Sequence, residues 1–124
     1  MSRIKRDEER EDRISMEAIV DANGSEEQAM GWYYYLDDKI EFPFAAKCIQ
    51  ERKISPLRVD ENVQVMGMIL ENDCLNEMFV EIEWFGRRFG VPLSQLQGID
   101  VEENTEKAIS DWHYWVGRGY RLYQ

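Results

Sequence analysis

Apolar residues along this chain fall into two periods, one helical and one extended. From Arg6 to Ala22 charges recur at helical spacing and then give way to Ile14, Met16, Ile19 and Val20. That pattern predicts a first helix with a solvated start and a docked end, stopped at Asn23-Gly24. Ser25-Glu26-Glu27-Gln28 reads as a capping box opening a second helix. At about 100° per residue, Ala29, Trp32, Tyr33, Leu36 and Ile40 share one face of it, while Asp37, Asp38 and Glu41 fall on the opposite side. Pro43 lacks an N–H and disfavours the α region at the residue before it, so the helix is expected to stop near Phe42. Gly31 inside this helix costs up to ~1 kcal/mol relative to alanine, which points to a backbone or a large ring packed close over it.

Beyond Ser55-Pro56 the period becomes two. Val63 to Ile69 and Val80 to Trp84 alternate as half-buried antiparallel strands do, with Val63, Val65, Ile69, Val80, Ile82 and Trp84 facing inward. Phe85-Gly86 makes a tight turn into Arg87 to Pro92, and Leu93 to Leu96 reads as a single turn before a last strand near Gly98 to Val101. Helical spacing returns from Glu102 to Gly117, with Ala108, Ile109, Trp112, Tyr114, Trp115 and Val116 as its apolar face. The fold class is therefore α+β, a small SH3-like antiparallel β-barrel or sheet packed with N-terminal and C-terminal helices. A simple three- or four-stranded sheet under helices is the alternative. We divide the chain into a charged, partly flexible leader (1–13) and a single α+β domain (14–124), with helices in 14–44, the β region in 57–101 and the C-terminal helix in 102–117.

Composition narrows the partners. A chain of 124 residues with 12% aromatic side chains holds one domain's core. The formal net charge is −10, and the first thirteen residues balance, so the acidity lies in the body. Such a surface repels phosphate backbones and anionic lipids and attracts cations or a basic protein partner. No nucleic acid or membrane partner is expected, and no apolar run approaches the ~20 residues of a spanning helix. A soluble, cytoplasmic monomer is the expectation, with Cys48 and Cys74 as buried thiols.

Three acids at a helix C-terminus are electrostatically misplaced, because the free carbonyls there already carry partial negative charge. One reading is that a cation gathers the carboxylates and carbonyls. Hard oxygen donors without a nearby His or Cys suit Ca²⁺ or Mg²⁺ rather than Zn²⁺. The other reading is a solvated acidic face softened by Lys39 and Lys47, and the residues alone leave both open. Glu71, Asp73 and Glu77, between two strands, offer a second set of oxygens or a merely polar loop. The run Asp100, Glu102, Asn104, Glu106, Asp111 mimics an EF-hand loop but has Thr105 where the sharp turn needs glycine, so a helix cap at Asp100 or Asn104 explains it better. His113 is expected to pack on an aromatic helix, and Arg87-Arg88 to pair with Glu81 or Glu83. No phosphate loop, nucleophile elbow or His-rich motif is present, so no enzymatic activity is expected.

Several strings together resemble the cyanobacterial calcium-binding protein family: Ala29 to Lys39 with its Tyr33-Tyr34-Tyr35 and Asp37-Asp38, Phe42-Pro43-Phe44, Ser55-Pro56-Leu57, Val91 to Leu96, and Asp111-Trp112-His113-Tyr114-Trp115. The resemblance covers most of the chain from Ile19 onward. It implies a non-EF-hand Ca²⁺ site, with Asp37, Asp38 and Glu41 as the first ligand set and Glu71, Asp73 and Glu77 as a looser second one. It also implies a role as a cytosolic Ca²⁺ buffer or sensor. The competing reading is an acidic SH3-like interaction module, independent of metal, that binds a basic partner through a surface including Trp84 and Arg87.

Overall fold

The computed structural model describes residues 5–69, 77–120 and 122. Helix α1 (Glu8–Arg13) runs into a π-helical turn (Ile14–Ala18), and α2 (Ser25–Lys39) follows. Strands β1 (Phe44–Cys48), β2 (Asn62–Met68), β3 (Phe79–Trp84) and β4 (Arg87–Pro92) lead through a 3₁₀ turn (Leu93–Gln95) to β5 (Leu96–Gly98) and then α3 (Glu103–Gly117). The α+β class is as the periods predict. The barrel is not formed: the strands make one open five-stranded antiparallel sheet in the order β4-β3-β2-β1-β5, with β4 and β5 as its edges.

The helical stretch expected over 14–44 ends early, and the β region begins at Phe44 rather than 57. Phe44-Ala45-Ala46-Lys47-Cys48 carries little intrinsic strand preference, but it pairs with β2 on one side (Phe44 opposite Val65) and β5 on the other (Cys48 opposite Leu96). Tertiary pairing decides it. Along β3, Val80 and Ile82 are buried as alternation requires, whereas a register shift between Val65 and Gly67 of β2 breaks the parity beyond Val65. Phe85 and Gly86 both have positive φ (50° and 76°), the two-residue hairpin geometry that matches strand twist.

Helices α2 and α3 pack on each other and onto the sheet, α2 over β2 and α3 over β5 and the 3₁₀ turn. Trp32, with no exposed surface, sits at the centre, with ring centroids of Tyr35, Trp112 and Trp115 at 5.7, 5.0 and 5.6 Å. Tyr35, not Tyr33, is the second buried aromatic of α2. Two caps differ from expectation. The N-cap of α2 is Gly24, with Glu27 reaching back to the Asn23 N–H at 2.9 Å. That of α3 is Glu102, not Asp100 or Asn104: its Oε1 accepts from the N–H (2.6 Å) and the hydroxyl (2.9 Å) of Thr105.

Helix α1 starts exposed and buries no residue of its own, and its later residues dock. Arg10 and Arg13 of α1 reach across to α3, and the π-helical turn buries Ile14 and Ala18. Met16 in the same turn and Val20 just beyond it face outward, 74% and 56% exposed, where a continued α-helical period would have docked them.

Candidate metal centre

Asp37 and Asp38 occupy the last turn of α2, and both are exposed. Glu41 does not share that turn. The helix ends at Lys39, Ile40 is already extended (φ −84°, ψ 131°), and Glu41 follows as an exposed residue beyond it. The Glu41 N–H donates to Thr105 Oγ1 at 2.8 Å instead of closing a helical bond onto the Asp37 carbonyl. Free carbonyls and carboxylates therefore lie at the same helix end. Asp38 and Glu41 open onto different surfaces. Asp38 borders a groove of about 430 Å³ with Glu17 and Lys39, and Glu41 borders one of about 380 Å³ with Gln64, Asp100, Glu102 and Thr105.

Among the described residues, no group of three His, Cys, Asp or Glu side chains is placed to hold a metal ion. In kind, the donors fit a hard cation: exposed carboxylate oxygens beside helix-end carbonyls, the ligand chemistry of Ca²⁺. Among the described residues, Asp38 pairs with the Lys39 ammonium, which lies 4.0 Å from Asp38 Oδ2 and 4.0 Å from Glu17 Oε1. Of the second ligand set, Glu71 and Asp73 lie outside the described residues, as does Cys74. Glu77 is committed elsewhere. Both terminal nitrogens of Arg52 donate to it, at 2.7 and 2.9 Å, and the Ser94 hydroxyl donates at 3.2 Å. A carboxylate in such a bidentate pair reaches a metal only after the pair opens.

The carboxylate at the most demanding position is Asp111, the last residue of the EF-hand-like acidic run. It has no exposed surface, and it accepts from Arg10 at 2.8 Å, from Arg13 at 2.6 and 2.9 Å, and from the Tyr35 hydroxyl at 2.8 Å. The hydrogen bond with Asp111 raises the Arg13 pKa, and burial, reinforced by Asp111, raises that of Tyr35. A second hub joins the same elements: Tyr114 and Tyr120 donate to Glu11 at 2.7 and 2.8 Å, and the Asp7 N–H donates to the Tyr114 hydroxyl at 2.9 Å. Burial pushes Glu11 up, but the hydrogen bonds from Tyr114 and Tyr120, together with the charges of Arg6 and Arg118, outweigh it and hold the carboxyl below its ordinary value. A signal for Asp111 was present, since it lies within the helical face of Ala108, Trp112 and Trp115, where an acid needs partners.

His113 packs between α3 and β5, where its Nε2–H donates to the Leu96 carbonyl at 2.7 Å. Burial lowers its pKa, with the Leu96 hydrogen bond and Glu106 opposing only in part. Between the folded value and the unfolded value near about 6.5, the unfolded chain binds more protons. Stability is then complete above that unfolded value, falls as pH drops through the window and levels below the folded value. The urea midpoint should decline from pH 7.5 to 5.5, and His113→Gln, which can still donate to Leu96, should flatten the decline. Glu11 and Glu102 are lowered too, the latter chiefly by its Thr105 hydrogen bond, and their contributions are lost only below the ordinary carboxylate range. An unchanged slope in His113→Gln would contradict this assignment.

The sequence profile of the CcbP family, described as calcium binding, matches residues 12–116. The chain belongs to that family. Two solved structures superpose on this CcbP-family chain along nearly its whole length. Anabaena CcbP is 45% identical with a TM-score of 0.85, and a calcium-binding protein in its calcium-binding form is 44% identical with a TM-score of 0.84. Each alignment covers 97% of this chain and 98% of the other. No curated protein matches significantly. The family span begins inside α1 and ends in the last turn of α3, so it holds both candidate ligand sets and Asp111 but leaves out Glu11 and the charged residues before it.

Proposed function

We propose that this chain binds Ca²⁺ through exposed oxygens at the C-terminal end of α2 and serves as a cytosolic calcium buffer or sensor. The observation that carries the reading is membership of a calcium-binding family over residues 12–116. Asp37 and Asp38 supply carboxylates and the last carbonyls of α2 supply neutral oxygens, while Glu41, which opens onto another surface, joins them only if the segment beyond the helix turns back. When bound, the ion neutralises anions held at the electron-rich pole of α2. The chain's own part is to hold that pole rigid, because α2 is fixed by the buried Trp32, Tyr35 and Leu36. Glu71, Asp73 and Glu77 form the second candidate set, with Glu77 requiring release from Arg52. Open, solvent-facing oxygen sites of this kind accommodate the flexible coordination of Ca²⁺ better than the strict octahedron of Mg²⁺.

Binding to the folded state alone raises stability by mass action. At free Ca²⁺ tenfold above Kd the gain is about 1.4 kcal/mol. Thermal unfolding in excess Ca²⁺ should therefore occur several degrees above unfolding in chelator, and coincident transitions would count against metal binding.

A further inference from the structure

The groove between the π-helical turn and α2 combines features that folding alone does not call for. Its floor is made by Ala18 and Gly31, small residues where the two backbones meet. Its walls include Val20 and Tyr34, and Met16, four residues before Val20 and outside the lining, is exposed as well, so three large apolar residues are more than half exposed (74%, 56% and 52% for Met16, Val20 and Tyr34). At one end Glu17 and Asp38 face each other across Lys39, whose ammonium lies 4.0 Å from both. An alkylammonium group thus already lies near both carboxylates, and the body around them is acidic. Apolar walls beside paired carboxylates, with an adaptable methionine exposed nearby in sequence, complement a segment that alternates large apolar side chains with lysine or arginine.

We propose that this groove docks a basic amphipathic peptide segment of a partner protein, with apolar side chains lying against Val20, Tyr34 and Met16 and a lysine or arginine replacing Lys39 between Glu17 and Asp38. Long-range attraction from the acidic surface speeds the encounter, and the apolar walls set which basic segment stays bound.

Fluorescence anisotropy of a labelled leucine–lysine amphipathic peptide tests this at low salt. The titration is run in chelator because Asp38 also belongs to the proposed calcium set, so a negative result leaves the calcium reading standing. Saturable binding is expected, weakened about tenfold, or 1.4 kcal/mol, by Glu17→Lys, Val20→Ser or Met16→Ser. These three side chains are substantially exposed, so the variants should keep the parental thermal transition. Glu83→Lys, on the distant hairpin, should bind like the parent, and a peptide with serine in place of leucine should bind far more weakly. The proposal is overturned if the peptide does not bind, if the serine peptide binds equally, or if Glu83→Lys weakens binding as much as Glu17→Lys. It is also overturned if the parent alone sediments as a dimer that Val20→Ser dissolves, since a second copy then covers the groove.

Discussion

Asp111→Asn is expected to lower folding stability by about 3 kcal/mol, the lower end of the range for removing one partner of a buried ion pair. The substitution keeps the side-chain shape and deletes the charge that Arg10, Arg13 and Tyr35 all address. Two opposing effects set the size. Asp111 is fully buried, so its pairs act with little screening, but the two arginine side chains are 25% and 20% exposed and can swing into water once released. The loss also unpins α1, which buries no residue of its own and depends on these polar contacts. Urea denaturation measures the effect, with Glu83→Gln as the comparison. Glu83 pairs with Arg88 at 3.6 Å in the open, both side chains about half exposed, and such pairs contribute about 0–1 kcal/mol. Equal midpoints for the two variants would mean that the buried cluster adds nothing to the fold.

Gly31→Ala carries the second large effect, and its sign runs against helix propensity. In an open helix the change would stabilise by about 1 kcal/mol. Here the added Cβ would overlap the carbonyl oxygen of Ala18, a backbone atom of the π-helical turn that cannot rotate aside. Overpacking against a fixed neighbour costs about 1–3 kcal/mol, which exceeds the propensity gain, so a net loss of up to about 2 kcal/mol is expected. Gly24→Ala meets nothing within 4 Å, and its gain of about 0.4–1 kcal/mol from the less mobile unfolded chain is offset by alanine's poorer fit at this N-cap, so stability should change little. A stabilised Gly31→Ala protein would show that the turn and α2 are not in close contact.

What the residues revealed in advance follows from where the physics is local. Helices α2 and α3 are legible because Trp32, Leu36, Ala108, Ile109, Trp112 and Trp115 repeat at helical spacing and are all buried. The close approach at Gly31 is legible because a glycine inside a helix needs a reason. β1 is not legible, since two alanines and a lysine gain their extended form only from neighbours on both sides. The closed barrel was inferred from strand lengths and turns, which do not fix whether the edges β4 and β5 meet. The Asp111 cluster joins residues about a hundred positions apart, a distance no spacing rule spans. At the candidate site the acids of α2 stand where the pattern placed them, but the helix stops at Lys39 and sends Glu41 to another surface, because Thr105 captures its N–H.

The account rests on divalent binding at the end of α2, and calorimetric titration with Ca²⁺ in a background of Mg²⁺ tests it most directly. The parent should give a saturable calcium isotherm, and the Asp37→Asn/Asp38→Asn double variant, folded to the same extent, should lose at least about tenfold in affinity, or 1.4 kcal/mol. An isotherm that the double variant leaves unchanged, or no calcium heat from the parent at all, would contradict the assignment.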